Sequence, residues 1–445
     1  MTSLPAISCA PPPTSFAVDT TNGIEILHRD LIESVKQFQP EWAQYKGEDV
    51  VVQRLTGGLT NVLYTLTPGR DKRKTVIVRV YGEGTSLFVD RAIENTIFRS
   101  LSSGGVATQF VGAFSNGRVE GYVDATALTP DQMAHPDLYP RIAAAVAQLH
   151  AQTVLGISKD AYLWNKLQSF FDLADDSMRR NPPAADSGGG ESGLREQLKT
   201  MRKEMAWLQT ELQGIEQEVR RRLAGPVADQ REEMVLRGAQ FAFSTVLCHN
   251  DLLSGNILLS NDAQVATGGG EGDSEGEEKM SSLPSPASDI TLIDFEYAGY
   301  NPRGWDIGNH FNEYAGFDFN IARDFPSQSV RRAFLTNYVH AAAAAATAAS
   351  SAAAASFSES LLSDVVRDRE SMEAFVAGLD DICCKYCLVS HLFWGVWATI
   401  QATISHIEFD FAGYAQLRFD GYALHKRQFF SDESKSTAVS SSCQQ

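Results

Sequence analysis

The spacing of apolar positions changes period along the chain. Residues 24–39, IEILHRDLIESVKQFQ, repeat apolar side chains at helical intervals and end at Pro40, which stops a helix because it lacks an N–H and crowds the preceding turn. The period then shortens. Val50–Leu55 and residues 62–66 flank the turn TGGLTN, residues 75–81 (TVIVRVY) follow a turn-rich gap, and residues 106–114 and 118–123 enclose SNG. These predict a five-stranded lobe with one helix, residues 89–102, between its third and fourth strands. Residues 120–125, EGYVDA, predict the crossing to a second, mainly helical lobe whose first helix covers 137–151.

In the second lobe Leu194, Leu198, Met201, Met205, Leu208, Leu212, Ile215 and Val219 alternate gaps of four and three, a heptad seam. It suits either a coiled-coil homodimer or one long helix packed on its own lobe, and the second reading is adopted. A further helix is predicted over 382–403. Three short apolar strands break the helical pattern. Residues 246–259, VLCHNDLLSGNILL, place a polar loop between two apolar runs, and residues 290–296, ITLIDFE, end an apolar run on a carboxylate. Between them lies 261–289, an acidic insert with almost no apolar content, expected to be flexible. Residues 341–356 are an Ala/Ser tract. The resulting fold class is α+β, with lobes at 21–123 and 124–430 and disordered tails at 1–20 and 431–445.

Composition narrows the function. The chain has 445 residues, with 43% hydrophobic and 10% aromatic content, enough for a substantial core. A net charge of −17 disfavours nucleic acid, whose phosphates demand clustered cations. Six cysteines without a disulfide-like spacing point to a reducing, cytoplasmic setting. The C-x-x-C pair Cys384 and Cys387 lies in a predicted helix and reads as packed thiols. No basic leader and no run of 18 or more apolar residues is present, so membrane insertion is not expected.

The chemistry lies in the polar loop. His249-x-Asp251-(x)4-Asn256 has the spacing of a kinase catalytic loop, in which Asp accepts the proton of the acceptor hydroxyl and Asn holds magnesium. Asp294, at the following strand end, supplies a second hard oxygen ligand for Mg2+. In the first lobe Gly57, Gly58, Thr60 and Asn61 form a turn whose backbone can approach phosphates, since glycine has no Cβ to block it. Taken alone, that turn reads first as an ordinary hairpin turn. Arg79 interrupts an apolar strand where kinases place a phosphate-binding lysine, as either a solvated strand-end residue or a group aimed at a cleft, and Glu94 on the next helix is its candidate partner or, almost equally, an ordinary surface glutamate.

HNDLLSGNIL, followed by IDFEYAGYNPRGWDIGNHFNEYAG and SHLFWGVWATIQATISHIEFDFAGYAQLRF, resembles the choline/ethanolamine kinase family over roughly residues 24–430. GGLTN and VIVRVYGEGTSLFVDR add to the likeness. The resemblance implies a protein-kinase-like, two-lobed fold and transfer of the γ-phosphate of ATP to a small amino alcohol, the first committed step towards phosphatidylethanolamine or phosphatidylcholine. It implies Asp251 as base, Asn256 and Asp294 on Mg2+, and Arg79 on phosphate, and His249 of the same loop is read as a second catalytic residue. Residues 57–61 would hold the nucleotide, and Gly121 and Val123 would contact adenine. Tyr297, Glu313, Trp394, Trp397 and Tyr414 would enclose the cationic end of the acceptor. Most motifs are more similar to ethanolamine than to choline kinases, whereas NPRGWDIG leans the other way, and Trp305 stands where a smaller aromatic is expected.

Overall fold

The computed structural model describes residues 14–55, 61–69, 71–82, 84–180, 190–261, 289–349, 357–405 and 407–430. The chain divides into two compact units after Ala125, two residues beyond the boundary expected from sequence.

The first unit is an antiparallel sheet with two helices. Helix α1 (Ile24–Lys36) precedes β1 (Val50–Leu55), β2 (Asn61–Pro68) and β3 (Val76–Tyr81). Helix α2 (Arg91–Ser103), β4 (Phe110–Phe114) and β5 (Gly117–Gly121) complete it, in the order β1-β2-β3-β5-β4. Asp90 caps α2 by accepting the N–H groups of Ala92 and Ile93, which supplies two of the donors a helix start leaves bare. The α1 face of Leu27, Leu31, Ile32 and Val35 packs with Leu66, Val76, Val78 and Val119 of the sheet into one core. Val18 and Phe16 join that core, and the Val18 N–H and carbonyl bond to the Asn116 side chain. The tail expected over 1–20 is therefore corrected for residues 14–20, because Val18 is buried, Phe16 packs on Phe114, and the segment bonds to Ala113, Ser115 and Asn116. Residues 1–13 and the expected tail at 431–445 lie outside the described residues.

The second unit opens with β6 (Ala125–Ala127), at the boundary, then α3 (Tyr139–His150), α4 (Leu163–Arg180), α5 (Gly190–Leu223) and α6 (Gln230–Phe243). The polar loop joins β7 (Thr245–Cys248) to β8 (Ile257–Ser260). Strands β9 (Ile290–Leu292) and β10 (Gly299–Pro302) follow, and then α7 (Arg303–Asn312), α8 (Gln328–Ala349), α9 (Arg369–Ile404) and α10 (Phe411–Phe429). β8 pairs antiparallel with β9, and β7 with β10. The Ser260 N–H donates to the Asp289 carbonyl at 2.9 Å, so the chain is pinned where it leaves β8 and where it enters β9. The rest of the acidic insert, 262–288, lies outside the described residues. So do 350–356 of the Ala/Ser tract, whose earlier part continues α8.

Helix α9 is the axis of this unit. It is long and apolar enough to cross a membrane, yet 78% of its apolar window is buried inside the protein, so its hydrophobic surface is spent on the core. Gly378 of α9 and Gly238 of α6 face each other's backbones: a Cβ on Gly238 would lie 1.9 Å from the Phe375 carbonyl, and one on Gly378 1.9 Å from that of Val235. Only glycines allow the two helices to cross this closely. Gly308 of α7 makes a similar approach to the Cys383 carbonyl. Cys383, Cys384 and Cys387 are free and buried, with Cys387 Sγ donating to the Gly308 carbonyl. The heptad helix α5 packs on its own unit, burying Leu198, Met205, Leu208, Leu212 and Val219. Glu204 ties it to α10 by accepting from Tyr422 and Lys426, and Arg202 ties it to Asp172 and Asp175 of α4.

Candidate active site

In the first unit a buried ion network underlies the expected phosphate side. Arg79 Nε donates to Glu120 Oε1 at 2.8 Å, and Arg118 Nε donates to the same oxygen at 2.7 Å. Arg118 also bonds Glu94, which takes Arg91 Nη1 at 2.6 Å. The predicted pairing of Arg79 with Glu94 is thereby corrected: the direct hydrogen bonds to Glu94 come from Arg118 and Arg91, while the Arg79 charge still lowers its pKa. Register explains the difference, since Arg79 and Arg118 are cross-strand partners and Glu120 lies two residues beyond Arg118, on the same face of β5. Burial alone would raise the pKa of Glu120, but Arg118 and Arg79 hold it down at about 2. Among the described residues, three guanidiniums and two carboxylates form one buried ion network.

Arg91 Nη2 donates to Asn61 Oδ1 at 3.2 Å and to Thr85 Oγ1 at 2.7 Å, which fixes the last residue of the glycine turn. Gly57, Gly58 and Thr60 lie outside the described residues. Gly121 commits its N–H to the Gln109 carbonyl at 2.8 Å, and a Cβ there would meet that of Gln109 at 2.9 Å. That N–H is thus committed within the first unit; Val123, just beyond the strand, is half-buried.

In the second unit the polar loop is held from several sides. Helix α7 carries Asp306, Asn309 and His310, whose three- and four-residue spacing puts them on one face. Asp306 accepts the N–H of His249 at 2.9 Å and of Asn250 at 2.7 Å. Asn309 Nδ2 donates to the Asn250 carbonyl, and His310 Nδ1 donates to that of Leu252. Asn250 has a φ of 68°, a left-handed conformation that asparagine tolerates better than most residues. Its Oδ1 accepts from Trp305 Nε1 at 2.7 Å and Asn301 Nδ2 at 2.9 Å, and its Nδ2 donates to the Tyr297 carbonyl. The unexpected Trp305 thus has a task that a phenylalanine, lacking the indole N–H, could not perform.

Asp251 sits at the centre of this frame. Asn256 Nδ2 donates to its carbonyl at 2.9 Å and to its Oδ2 at 3.0 Å, leaving Asn256 Oδ1 as that residue's hard ligand atom. Asp294 has φ 64°. It is brought alongside by backbone, because the Ile293 N–H donates to the Asn256 carbonyl at 3.0 Å. The residue read as catalytic, His249, is corrected to an anchor. Burial lowers its pKa and keeps it neutral, and its Nε2–H donates to the Ile293 carbonyl at 2.8 Å. It brackets the two halves of the site.

Water exclusion, followed by the charges of Glu313, Asp294 and Glu296, raises the pKa of Asp251 well above the usual carboxylate range. Such crowding of carboxylates is relieved by cations. The donor set of Asn256 Oδ1 and the Asp294 carboxylate, both hard oxygens, fits Mg2+ with nucleotide phosphates completing its shell.

The aromatic wall lies in the same unit. Tyr297 and Trp394 meet edge to face at 5.4 Å, Trp394 and Trp397 at 5.7 Å, and Trp397 Nε1 donates to the Tyr297 hydroxyl at 3.1 Å. Glu313 accepts from Arg418 Nη1 at 2.9 Å, and the same nitrogen donates to the Tyr414 hydroxyl at 3.2 Å. The structure therefore brings Tyr297, Trp394 and Trp397 together, and Glu313 with Tyr414. Sequence reasoning missed Arg418, Asp306 and Asn309. For Asp306 and Asn309 the signal was a polar i, i+3, i+4 stripe shared with His310 on α7; for Arg418 there was none.

The family model described as choline/ethanolamine kinase matches residues 52–423. A probable ethanolamine kinase of Arabidopsis thaliana is 29% identical over 422 residues, covering 94% of this chain and 91% of that protein. Ethanolamine kinase 2 of Mus musculus is 30% identical over 394 residues, covering 88% and 80%. Among solved structures, an ethanolamine kinase of Plasmodium vivax superposes with a TM-score of 0.63 at 20% identity, covering 90% of this chain and 89% of that one, a likeness of fold. With the kinase-spaced Asp251 and Asn256, the adjoining Asp294 and a family match across most of its length, this chain belongs to the choline/ethanolamine kinase family.

Proposed function

We propose that the chain phosphorylates ethanolamine with ATP, giving phosphoethanolamine and ADP at the entry to phosphatidylethanolamine synthesis. The observation that carries this reading is the Asp251–Asn256 pair on one loop, in a unit that also holds Glu313 and the Tyr297, Trp394 and Trp397 cluster. A cationic alcohol needs both a site for its charge and a base for its hydroxyl.

The roles follow from the chemistry. The acceptor oxygen attacks the γ-phosphorus in line, the bond to the ADP oxygen breaks, and Asp251 accepts the hydroxyl proton. Asn256 and Asp294 would hold Mg2+, which supplies charge neutralisation for the phosphates. Arg79, with Asn61 and the glycine turn of Gly57, Gly58 and Thr60, holds phosphate oxygens, Val123 contacts adenine, and Glu94 positions the guanidiniums. Glu313 receives the ammonium, while the faces of Tyr297, Trp394, Trp397 and Tyr414 surround it, each worth about 0.5–2 kcal/mol. A primary ammonium donates three hydrogen bonds, and the second oxygen of Glu313 is an acceptor for one of them.

The aromatic wall also suits a trimethylammonium, so choline is the second reading. The test is phosphate transfer by the purified protein with Mg-ATP, comparing kcat/KM for the two amines. Ethanolamine is expected to exceed choline at least tenfold; turnover of neither would remove the proposal, and a choline preference would invert it.

A further inference from the structure

A continuous buried hydrogen-bond chain joins the ammonium-binding carboxylate to the backbone of the catalytic loop, and its links are side chains outside the substrate wall. Arg418 is wholly buried and lies over the Phe319 ring at 4.3 Å. One of its nitrogens, Nη1, donates to Glu313. The other, Nη2, donates to Ser390 Oγ at 2.7 Å and to the Ser390 carbonyl at 3.1 Å. Since Ser390 Oγ accepts from arginine, its own proton points onward, to Asn309 Oδ1 at 2.8 Å. The same Oδ1 accepts Trp394 Nε1 at 2.8 Å. Asn309 then uses Nδ2 to donate to the Asn250 carbonyl, one peptide before Asp251.

Each link has a fixed direction. Arginine can only donate, and an amide must use oxygen towards two donors and nitrogen towards a carbonyl. Ser390, Asn309 and Asn250 are 0%, 0% and 1% exposed, so water cannot replace a broken member, and each orphaned group carries its full desolvation penalty. A cation arriving at Glu313 competes with Arg418 for that carboxylate, and any readjustment of the guanidinium passes to Ser390 and Asn309. Asn309 feels the same event twice, through Ser390 and through the indole of Trp394.

We infer that Ser390 and Asn309 are positioning residues that couple seating of the acceptor's ammonium to the register of the Asn250–Asp251 peptide. Binding energy at the cationic end is thereby expressed in kcat at the hydroxyl end. The inference rests on the proposed role of Glu313 as ammonium site.

The test is kinetic and uses the full chain. Ser390→Ala removes the relay hydroxyl yet leaves the Asn309 bonds to Trp394 and Asn250. With ethanolamine, its kcat is expected to fall on the order of tenfold, as for one lost charge-assisted hydrogen bond, with KM for ATP within about twofold. Combined with Glu313→Gln, the double variant should be no slower than Glu313→Gln alone, because both break the same path. Ser390→Cys, of similar shape but a weak hydrogen-bonding group, should behave alike and serves if the alanine variant does not fold. Unchanged kcat with only a lower melting temperature, or losses in the two variants that multiply, would overturn the coupling. A wild-type protein that turns over neither amine would instead strike the functional reading itself.

Discussion

Asp306 holds Asn250 by its backbone: the Asn250 N–H meets Asp306 Oδ1 at 2.7 Å, while Oδ2 takes the N–H of His249 and Nε2 of His150, each at 2.9 Å. Burial would raise the pKa of this carboxyl, yet the bonds from His150 and the loop keep it lowered and charged. Asp306→Asn turns one accepting oxygen into a donor facing donors. The expected cost is about 2–4 kcal/mol of stability together with a fall in kcat of at least about a hundredfold, since a small displacement of the loop misplaces the base. Urea melts and turnover at saturating substrates check both. A variant as stable and as fast as wild type would show that Asp306 is dispensable.

Asp251 is expected to act as a base and not as a structural cap. Asp251→Asn keeps the oxygen that accepts from Asn256 Nδ2 and removes the proton acceptor. The predicted kcat is lower by about 10²–10⁴, with binding of Mg-ATP retained, as read by the thermal shift the nucleotide induces. Turnover near wild type would return Asp251 to a purely structural role.

The part of the site that sequence made legible is the part written locally. Asp251 and Asn256 are five residues apart on one loop, and Asp294 ends an apolar run, so spacing alone marks them. The five strands were legible from alternation, as their observed order in one sheet bears out. What stayed hidden depends on register and on helix packing. RVE on β5 reads as an ordinary edge of alternating charge, and only the pairing of Arg118 with Arg79 across the sheet reveals why Glu94 binds Arg118 directly. Likewise Arg418 reads as a surface residue of a mixed helix until α10 is packed on α9, which encloses it beside Ser390. Burial of a charge is a tertiary fact.

Arg118 and Arg79 share the Glu120 oxygen but should separate in experiment. Arg118 is fully buried and serves Glu94 and Glu120 together. Its replacement by Met leaves two buried carboxylates short of a partner and is expected to cost about 3–5 kcal/mol. Arg79→Gln retains a donor for Glu120 while losing the charge. It should fold and show a KM for ATP raised about tenfold, as for one lost phosphate ion pair. If Arg79→Gln left KM for ATP unchanged, the phosphate role would pass to other members of the set.

A fourth prediction concerns acid. His391 Nε2 lies 3.0 Å from His425 Nδ1 in a buried site, with Phe319 and Phe325 against the rings. The charges facing the pair are Arg418, bound to Glu313, and Arg331, bound to Asp380. Burial and these cations push His425 down to about 3, and burial, His425 and Arg418 push His391 well below its ordinary 6.5. Both rings are therefore neutral in the folded protein near neutral pH and take up protons on unfolding once the pH falls below 6.5, until the folded form itself protonates. The unfolded state then binds more protons, so stability falls as pH drops through 6.5, by up to about 1.4 kcal/mol per pH unit for each histidine. The loss from His425 continues until about pH 3, where the folded form also protonates. Buried His150, His249 and His310 are lowered as well, so the wild-type dependence should be steep between pH 6.5 and 5. His425→Gln keeps a hydrogen-bonding side chain and removes one titrating site, and its urea midpoint should decline more gently over that interval. A wild-type midpoint that is flat from pH 7.5 to 5, or a variant with the same slope, would mean that the pair is protonated or solvated in the folded state.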